Sequence, residues 1–205
     1  MTSHTLSYYV LEPVRRVFRL ALLQWFGLSK WHLASAENKP YIKDIVAYVN
    51  TLPYQSVCEL GCGLGDILSR LKMPEKYGFD VNPRVIRVAK ILTMFRRAKA
   101  TYAVLSVTAE NLPSLKTDVW ILVNWTHEIE PGELRSILQN ILGQHTTDDG
   151  CLIIDSVPPG IGRYQHDPGA LVAGMECSVC RLGGDYPFDR ALYVITRGER
   201  PVQSA

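Results

Sequence analysis

The sequence predicts an α/β fold in which a doubly wound, mostly parallel sheet is covered by helices on both faces. Short apolar runs of strand length alternate with amphipathic helical stretches after residue 40. A glycine-rich turn follows the first of these apolar runs. With 205 residues and 47% hydrophobic composition, the chain has the length and composition of one globular domain with a single core.

Two helices are predicted before the sheet. From Pro13 to Trp25, apolar residues recur at steps of three and four with arginines between them, which indicates an amphipathic helix. A second helix is predicted to begin at Pro40, because proline is favoured in the first turn, and to end before Pro53.

Seven strands and the helices between them are predicted in the rest of the chain. The predicted strands span residues 56–60, 77–80, 102–105, 118–124, 151–155, 176–181 and 191–196. Helices are predicted around residues 67–71, after Pro83 and after Pro131. Because strands alternate with helices, we expect a parallel sheet whose ligand lies beyond the carboxyl ends of its strands.

The loop after the first strand carries three glycines at alternate positions, Gly61, Gly63 and Gly65. Glycines lack a Cβ atom, so a nucleoside-like ligand can approach the backbone closely. A dinucleotide-binding fingerprint would have glycine at the position of Asp66, and a carboxylate is a poor neighbour for a pyrophosphate. The spacing therefore disfavours a nucleotide-linked dehydrogenase. The acidic Glu59 and Asp66 instead favour a ligand that carries positive charge.

With this loop the chain resembles the class I S-adenosylmethionine-dependent methyltransferases, whose first motif is an acidic residue followed by Gly-x-Gly-x-Gly at the end of the first strand. Asp80 ends the second strand and matches the family's acidic residue for the ribose hydroxyls, because a carboxylate can accept hydrogen bonds from both hydroxyls. Thr108 and Ala109 match the loop that packs on adenine. Thr108 replaces a common aspartate there, which leaves the backbone N–H of Ala109 as the predicted contact.

The resemblance extends over about residues 41–197 and implies a Rossmann-like, seven-stranded sheet with an antiparallel strand near the C-terminus. It divides the chain into an N-terminal helical extension, residues 1–40, and an S-adenosylmethionine-dependent methyltransferase domain, residues 41–205. The extension is a candidate lid or substrate-shaping segment. S-adenosyl-L-methionine is the implied cofactor. The implied cofactor-binding residues are Glu59, Gly61, Cys62, Gly63, Gly65, Asp80, Val81, Thr108, Ala109 and Asn124.

Two histidines are the candidate catalytic residues. His127 follows the fourth strand, where family members meet the reactive methyl group, and an imidazole can accept the proton of an attacking hydroxyl. The alternative is a structural His127 bonded to a loop carbonyl. His166 is the second candidate base, with Asp167 as its orienting partner or as the cap of the next helix. A metal held by His127, Asp155 and His166 is conceivable, but the spacing does not specify one and no metal site is predicted.

The implied reaction is methyl transfer to a small-molecule or glycan acceptor, through an oxygen of a hydroxyl or carboxylate. Asn124 lacks the Pro-Pro-aromatic continuation typical of amino-group methyltransferases, which argues against amine acceptors in nucleic acids or proteins. Aromatic residues near the expected cleft are the candidate substrate contacts, and these are Trp31, Tyr41, Trp125 and Tyr164. The alternative function is a catalytically inactive, cofactor-binding interaction module of the same fold.

Charge and cysteine content bear on partners and compartment. The net charge of +2 provides no global field for nucleic acid, so no nucleic-acid partner is expected. Five cysteines, an odd number, favour a reducing compartment, and we expect a cytoplasmic protein. Residues 13–28 could alternatively form an interfacial helix that contacts a membrane, although a helix packed on its own domain is the favoured interpretation.

Overall fold

The computed structural model describes residues 17–28, 39–96 and 98–198. Residues 17–25 are helical and are called α1. The further helices are α2 (Pro40–Val49), α3 (Pro83–Phe95), α4 (Pro131–Asn140) and the short α5 (Pro168–Leu171). The strands are β1 (Ser56–Leu60), β2 (Glu75–Asp80), β3 (Thr101–Val104), β4 (Thr117–Leu122), β5 (Thr146–Ser156), β6 (Cys177–Leu182) and β7 (Ala191–Arg197).

All seven strands form one sheet in the order β3-β2-β1-β4-β5-β7-β6. Strands β1 to β5 pair in parallel, whereas β7 pairs antiparallel with both β5 and β6. The Rossmann-like, mostly parallel sheet and the antiparallel strand near the C-terminus are thereby confirmed. The strand order changes direction between β1 and β4, which is where doubly wound sheets open a ligand crevice.

Several element boundaries differ from the predicted ones for local reasons. The fourth strand ends at Leu122, two residues early, because Asn124 has a left-handed backbone with φ of 76°. The fifth strand begins at Thr146 and is extended by pairing with Thr117 across an irregular register. The helix predicted after the glycine loop is a single 3₁₀ turn, Leu68–Arg70.

The sheet is buried on both faces, as parallel sheets are. Helices α2 and α3 pack on one face through residues such as Ile45 and Ile86, and α4 packs on the other through Leu134 and Ile137. Trp120 in β4 is fully buried, and its indole N–H donates to the carbonyl of His145 at 3.0 Å.

Helix α1 packs against α3 and the glycine loop rather than on the sheet. Leu23 of α1 joins Leu64 of the loop and Val88 of α3 in a separate apolar cluster. The rings of Phe18 and Phe95 meet edge to face with centroids 4.6 Å apart. Because Phe18 is near the start of α1 and Phe95 ends α3, the two helices run in opposite directions.

Gly65 shows why the glycine loop needs its third glycine. Its φ is +69°, and a Cβ atom there would lie 2.2 Å from the hydroxyl oxygen of Tyr102. The Tyr102 hydroxyl is itself held by a 2.9 Å hydrogen bond with Thr93 of α3. Gly65 therefore serves the packing of the loop on β3 and α3.

We predict that Gly65→Ala lowers the free energy of unfolding by about 2–4 kcal/mol, because left-handed strain adds to a clash within a packed core. Gly174→Ala is the matched control, since Gly174 also has a positive φ, +80°, but its added Cβ would meet nothing within 4 Å. That control should lose only about 1–2 kcal/mol. Urea unfolding measures both, and equal losses would show that the Tyr102 contact is unimportant.

Candidate active site

A cavity of about 390 Å³ opens at the carboxyl ends of the central strands, a volume in the range of small-molecule sites. It lies at the change of strand direction between β1 and β4. The acidic residues on its wall are Glu59, Asp66 and Asp80, and the basic ones are Arg19 and Lys39. The remaining lining residues are Tyr41, Ile42, Gly61, Cys62, Gly63, Leu64, Ile67, Val81, Leu105, Ser106, Val107, Val123, Asn124, Trp125 and Ile129.

The first two glycines of the loop shape the cavity floor. Gly61 has φ of +71°, and a Cβ atom on it would lie 2.3 Å from the indole of Trp125. The Trp125 indole N–H donates to the carbonyl of Leu60 at 2.6 Å, which fixes this ring against the loop. Gly63 has φ of +51°, and an added Cβ would meet nothing within 4 Å. The backbone at Gly63 is thus open to a ligand.

Asp80 lies at the end of β2, and its carboxylate contacts the backbone of the glycine loop. One carboxylate oxygen accepts the N–H of Gly63 at 3.1 Å, and the other accepts the N–H of Asn82 at 2.9 Å. Each oxygen keeps a further lone pair that can accept another donor. The carboxylate is therefore oriented by the backbone and can accept hydrogen bonds from hydroxyl groups of a ligand in the cavity.

Glu59 is a buried carboxyl on the cavity wall, only 4% exposed. Burial raises the pKa of Glu59 well above its ordinary value, and the nearby charge of Asp66 raises it further. Its Oε2 atom is buried and has no hydrogen-bond partner. Because a buried polar atom without a partner is costly, this oxygen is available for a hydrogen bond with a group in the cavity.

Asp66 has a different role from the one its charge predicted. Arg19 of α1 contacts it with both guanidinium nitrogens, at 3.0 and 2.9 Å. Arg96, which follows α3, donates to the same carboxylate at 2.8 Å. Burial alone would raise the pKa of Asp66, but the two guanidinium groups hold it well below its usual range. The expectation that Asp66 favours a cationic ligand is wrong, because this charge is already neutralised by arginine.

A second buried ionic network lies on the side of β4 and β5. Asp155 is 1% exposed and accepts two bonds of 3.0 Å from the N–H of Asn124. Arg190 donates to Asp155 and, at 3.0 Å, to the side-chain oxygen of Asn124. The same guanidinium lies 4.7 Å from the ring centre of Tyr41. This network holds Asn124 in its left-handed conformation and places Tyr41, so it shapes the wall opposite the glycine loop.

The loop after β3 lines the cavity with residues that precede the predicted pair, Thr108 and Ala109. Leu105, Ser106 and Val107 line it, whereas Thr108 and Ala109 are not among the lining residues. The Ala109 N–H, predicted as the adenine contact, donates instead to the carboxylate of Glu133 at 3.0 Å.

Neither candidate catalytic histidine is among the residues that line the cavity. His166 is 4% exposed, and its Nε2 lies 3.0 Å from the carbonyl oxygen of Thr126. The imidazole of His127 packs against Gly162, and its buried Nδ1 atom has no hydrogen-bond partner. Asp167 caps α5 by accepting the N–H of Gly169 at 2.9 Å. Of the two predicted roles for Asp167, the structure shows the cap.

The other predicted site residues divide into two groups. Glu59, Gly61, Cys62, Gly63, Asp80, Val81, Asn124, Tyr41 and Trp125 lie on the cavity wall. Gly65 packs on Tyr102 outside it, Tyr164 stacks on His166 with centroids 6.3 Å apart, and Trp31 lies outside the described residues. The structure adds Arg19 and Lys39, which sequence reasoning missed; burial lowers the pKa of Lys39.

The described residues offer neither a cluster of metal ligands nor a membrane-spanning helix. In these ranges no group of three or more histidine, cysteine, aspartate or glutamate side chains could hold a metal ion. None of the helices in the same ranges is long and apolar enough to cross a membrane.

The fold matches solved methyltransferase structures, although no family model and no curated protein sequence matches the chain. Magnesium protoporphyrin IX methyltransferase from Synechocystis, with bound SAH, is similar with a TM-score of 0.65 and 17% identity over 78% of this chain and 83% of that one. The N-methyltransferase NodS from Bradyrhizobium japonicum is similar with a TM-score of 0.63 and 15% identity over 80% of this chain and 97% of that one. The chain therefore has the fold of class I S-adenosylmethionine-dependent methyltransferases.

We predict that Asp66→Asn lowers the free energy of unfolding by about 3–5 kcal/mol at neutral pH, because it leaves buried Arg19 without its carboxylate. A carboxyl whose pKa is lowered by folding stabilises the native state above its unfolded pKa and loses that effect as pH falls. The difference between wild type and variant should therefore shrink below about pH 4.

The control for this prediction is Asp185→Asn, which removes an exposed carboxylate paired with Arg181. It should change stability by about 1 kcal/mol or less. Urea unfolding at several pH values measures all three proteins, and an Asp66→Asn loss no larger than that of the control would contradict the prediction.

Proposed function

We propose that this protein transfers the methyl group of S-adenosyl-L-methionine to an oxygen of a small-molecule or glycan acceptor, with residues 41–205 as the methyltransferase domain and residues 1–40 as an extension. The observation that carries the proposal is the cavity wall formed by Gly61, Gly63 and Asp80 at the switch point of the sheet. The similar magnesium protoporphyrin IX methyltransferase has been solved with bound SAH and with bound SAM. We place the reaction in the cytoplasm, since all five cysteines are free thiols.

The cofactor would lie along the glycine loop with its ribose at Asp80. The open backbone at Gly63 admits the nucleoside, and the oriented Asp80 carboxylate accepts the two ribose hydroxyls. Glu59 offers its unpartnered oxygen to the cationic methionyl end. S-adenosylmethionine would supply the electrophilic methyl group, and the described residues would bind and orient the two reactants around it.

The acceptor would enter beside Asn124, Trp125 and Tyr41. The Asp155–Arg190 network holds Asn124 and Tyr41 in place, and the carbonyl of Leu60 holds the indole of Trp125. A pre-positioned acceptor oxygen needs little more than alignment with the methyl carbon, since proximity supplies a large part of the rate in such transfers. The N-methyltransferase among the similar structures shows that the fold alone does not decide the acceptor atom.

The proposal is tested first by cofactor binding. We expect Asp80→Ala to weaken S-adenosylmethionine binding at least tenfold in calorimetry, because two hydroxyl bonds to a charged acceptor, each about 1.5–3 kcal/mol, are lost. Asp148→Ala is the control, since Asp148 is an exposed carboxylate of β5 that lies outside the cavity lining. An unchanged affinity for Asp80→Ala would remove the ribose assignment.

Turnover is tested separately with a panel of hydroxyl, carboxylate and amine acceptors. The assay follows the demethylated product, S-adenosylhomocysteine, so it reports transfer to any acceptor. Product with hydroxyl or carboxylate acceptors supports the proposal, and product with amines alone contradicts the oxygen assignment. Cofactor binding without turnover on any acceptor would favour the inactive interaction module.

His127 remains the proposed general base for a hydroxyl acceptor. It lies two residues beyond the cavity wall at Trp125, and its unpartnered Nδ1 atom can accept a proton once the imidazole turns from Gly162. His166 is the second candidate, although its Nε2 is bound to a backbone carbonyl.

We expect His127→Ala to lower kcat by about 10² to 10⁴ while leaving cofactor affinity intact, because general-base catalysis contributes that factor. Steady-state kinetics with a hydroxyl acceptor measure kcat, and calorimetry measures the affinity for S-adenosylmethionine. Full kcat in the variant would exclude the base role, as expected if the acceptor is a carboxylate.

A further inference from the structure

The outer face of helices α1 and α3 exposes large apolar side chains, which globular surfaces usually carry singly. Trp25 is 86% exposed and Val17 65% exposed on α1. Met94 and Phe95 at the end of α3 are 70% and 63% exposed. Because α1 and α3 lie side by side in opposite directions, Val17 comes close to the Met94–Phe95 end of α3, and Trp25 lies at its other end. The apolar groups therefore occupy both ends of one surface, here called the α1–α3 face.

The polar part of the α1–α3 face is basic. Arg84, Arg87 and Lys90 are exposed along α3, and none of them has an ion-pair partner among the described residues. Residues 17–28 and 83–96 contain no aspartate or glutamate at all. Solvated helix surfaces normally mix both signs of charge, so a face with cations alone is complementary to an anionic partner.

Holding α1 on the domain does not require these exposed groups. Leu23 packs into the apolar cluster with α3, and Arg19 contacts Asp66, both on the inner side of α1. Val17, Ala21 and Trp25 are spaced four residues apart and are all exposed on the outer side. Within the described chain, the outer apolar residues of α1 are thus not needed to hold the helix on the domain.

A shallow depression of about 380 Å³ joins the two kinds of group. It is lined by Gln24 and Trp25 of α1, by Phe26 and Gly27 in the turn that follows, and by Arg84 and Arg87 of α3. Two guanidinium groups beside an indole suit a phosphate headgroup whose acyl chains lie against apolar side chains. Tryptophan is the residue most typical of a membrane–water interface, together with basic residues beside it.

We propose that the α1–α3 face binds the surface of an anionic lipid bilayer. Nucleic acid would be attracted by the three cations but would leave Val17, Met94 and Phe95 exposed to water. A bilayer takes up both groups at once, since apolar side chains enter the interface and cations contact the headgroups.

Membrane binding would also orient the cavity. Val81 is 65% exposed, lines the cavity and lies two residues before the first residue of α3. The cavity mouth is therefore next to the α1–α3 face. A bound bilayer would bring lipid-linked acceptors close to the site, whereas free acceptors would gain nothing.

The test is co-sedimentation of the full chain with vesicles of phosphatidylcholine, with and without about one third phosphatidylglycerol. We expect binding to the anionic vesicles only. Arg84→Gln/Arg87→Gln should reduce the partition coefficient by at least tenfold, because each basic residue near the surface contributes about fivefold. Trp25→Ser should reduce it by about tenfold through lost interfacial burial.

Matched controls are Lys72→Gln/Lys116→Gln, which removes the same charge from exposed positions elsewhere, and Phe188→Ser, which removes a 75% exposed aromatic near the far edge of the sheet. Both should bind as wild type, and circular dichroism should show every variant folded. No binding to either vesicle overturns the proposal. The proposal is also overturned if Trp25→Ser binds anionic vesicles as well as wild type does, or if the protein binds duplex DNA as strongly as it binds anionic vesicles. Either result would show that only the positive charge of this face is needed for binding. Cofactor affinity and turnover play no part in this readout.

Discussion

The carboxylate of Asp66 is the contact on which the cavity wall at the glycine loop depends. It belongs to the glycine loop, yet it accepts bonds from Arg19 in α1 and from Arg96 at the end of α3. Three elements that are distant in sequence are therefore joined at one buried group. Burying a carboxylate costs desolvation free energy, which the attraction of a single guanidinium would have to offset alone. The second guanidinium adds a further attraction, and this attraction is strong because the pair is buried. Movement of α1 or α3 is consequently coupled to the loop that would hold the cofactor.

The opposite wall is built in the same way from different elements. Asp155 at the end of β5 is surrounded by donors from Asn124, Thr126 and Arg190. Arg190 precedes β7, so an antiparallel strand that takes no part in the βαβ succession supplies the cation. Its position over the ring of Tyr41 links that strand to α2. The Asp66 network thus supports the cavity wall at the glycine loop, and the Asp155 network supports the wall at Asn124 and Tyr41.

Features encoded within a few residues were predictable from the sequence. The first strand was predicted at residues 56–60 and is found there, because a five-residue buried run followed by glycines has one interpretation in an alternating fold. Gly61, Gly63 and Asp80 reach the cavity because their positions follow directly from strand ends. Thr108 and Ala109 were predicted to reach the cavity but do not line it. The length of the loop after β3 decides which of its residues face the cavity, and no local sequence pattern encodes that length.

The residues that sequence reasoning missed depend on distant partners. Arg19 meets Asp66 across 47 positions, and Arg190 meets Asp155 across 35. On the sequence, Arg19 resembled the other arginines of an amphipathic helix, whose usual position is the solvated face. Only the packing of α1 against α3 shows that this arginine lies inside, at 7% exposure. The same packing explains why Asp66, which looked available to a cationic ligand, is already neutralised.

The inward position of Arg19 also changes the interpretation of the whole helix. An amphipathic helix on a domain surface normally turns its apolar side inward and its charges outward. In α1 one charge is directed inward to Asp66, while Val17 and Trp25 remain outside with large exposed areas. Exposing tryptophan to water costs free energy that a serine or lysine would avoid, and nothing inside the described chain recovers it. An outer surface of this composition, beside cations on α3 and next to the cavity mouth, is therefore better explained by an apolar, anionic environment than by water.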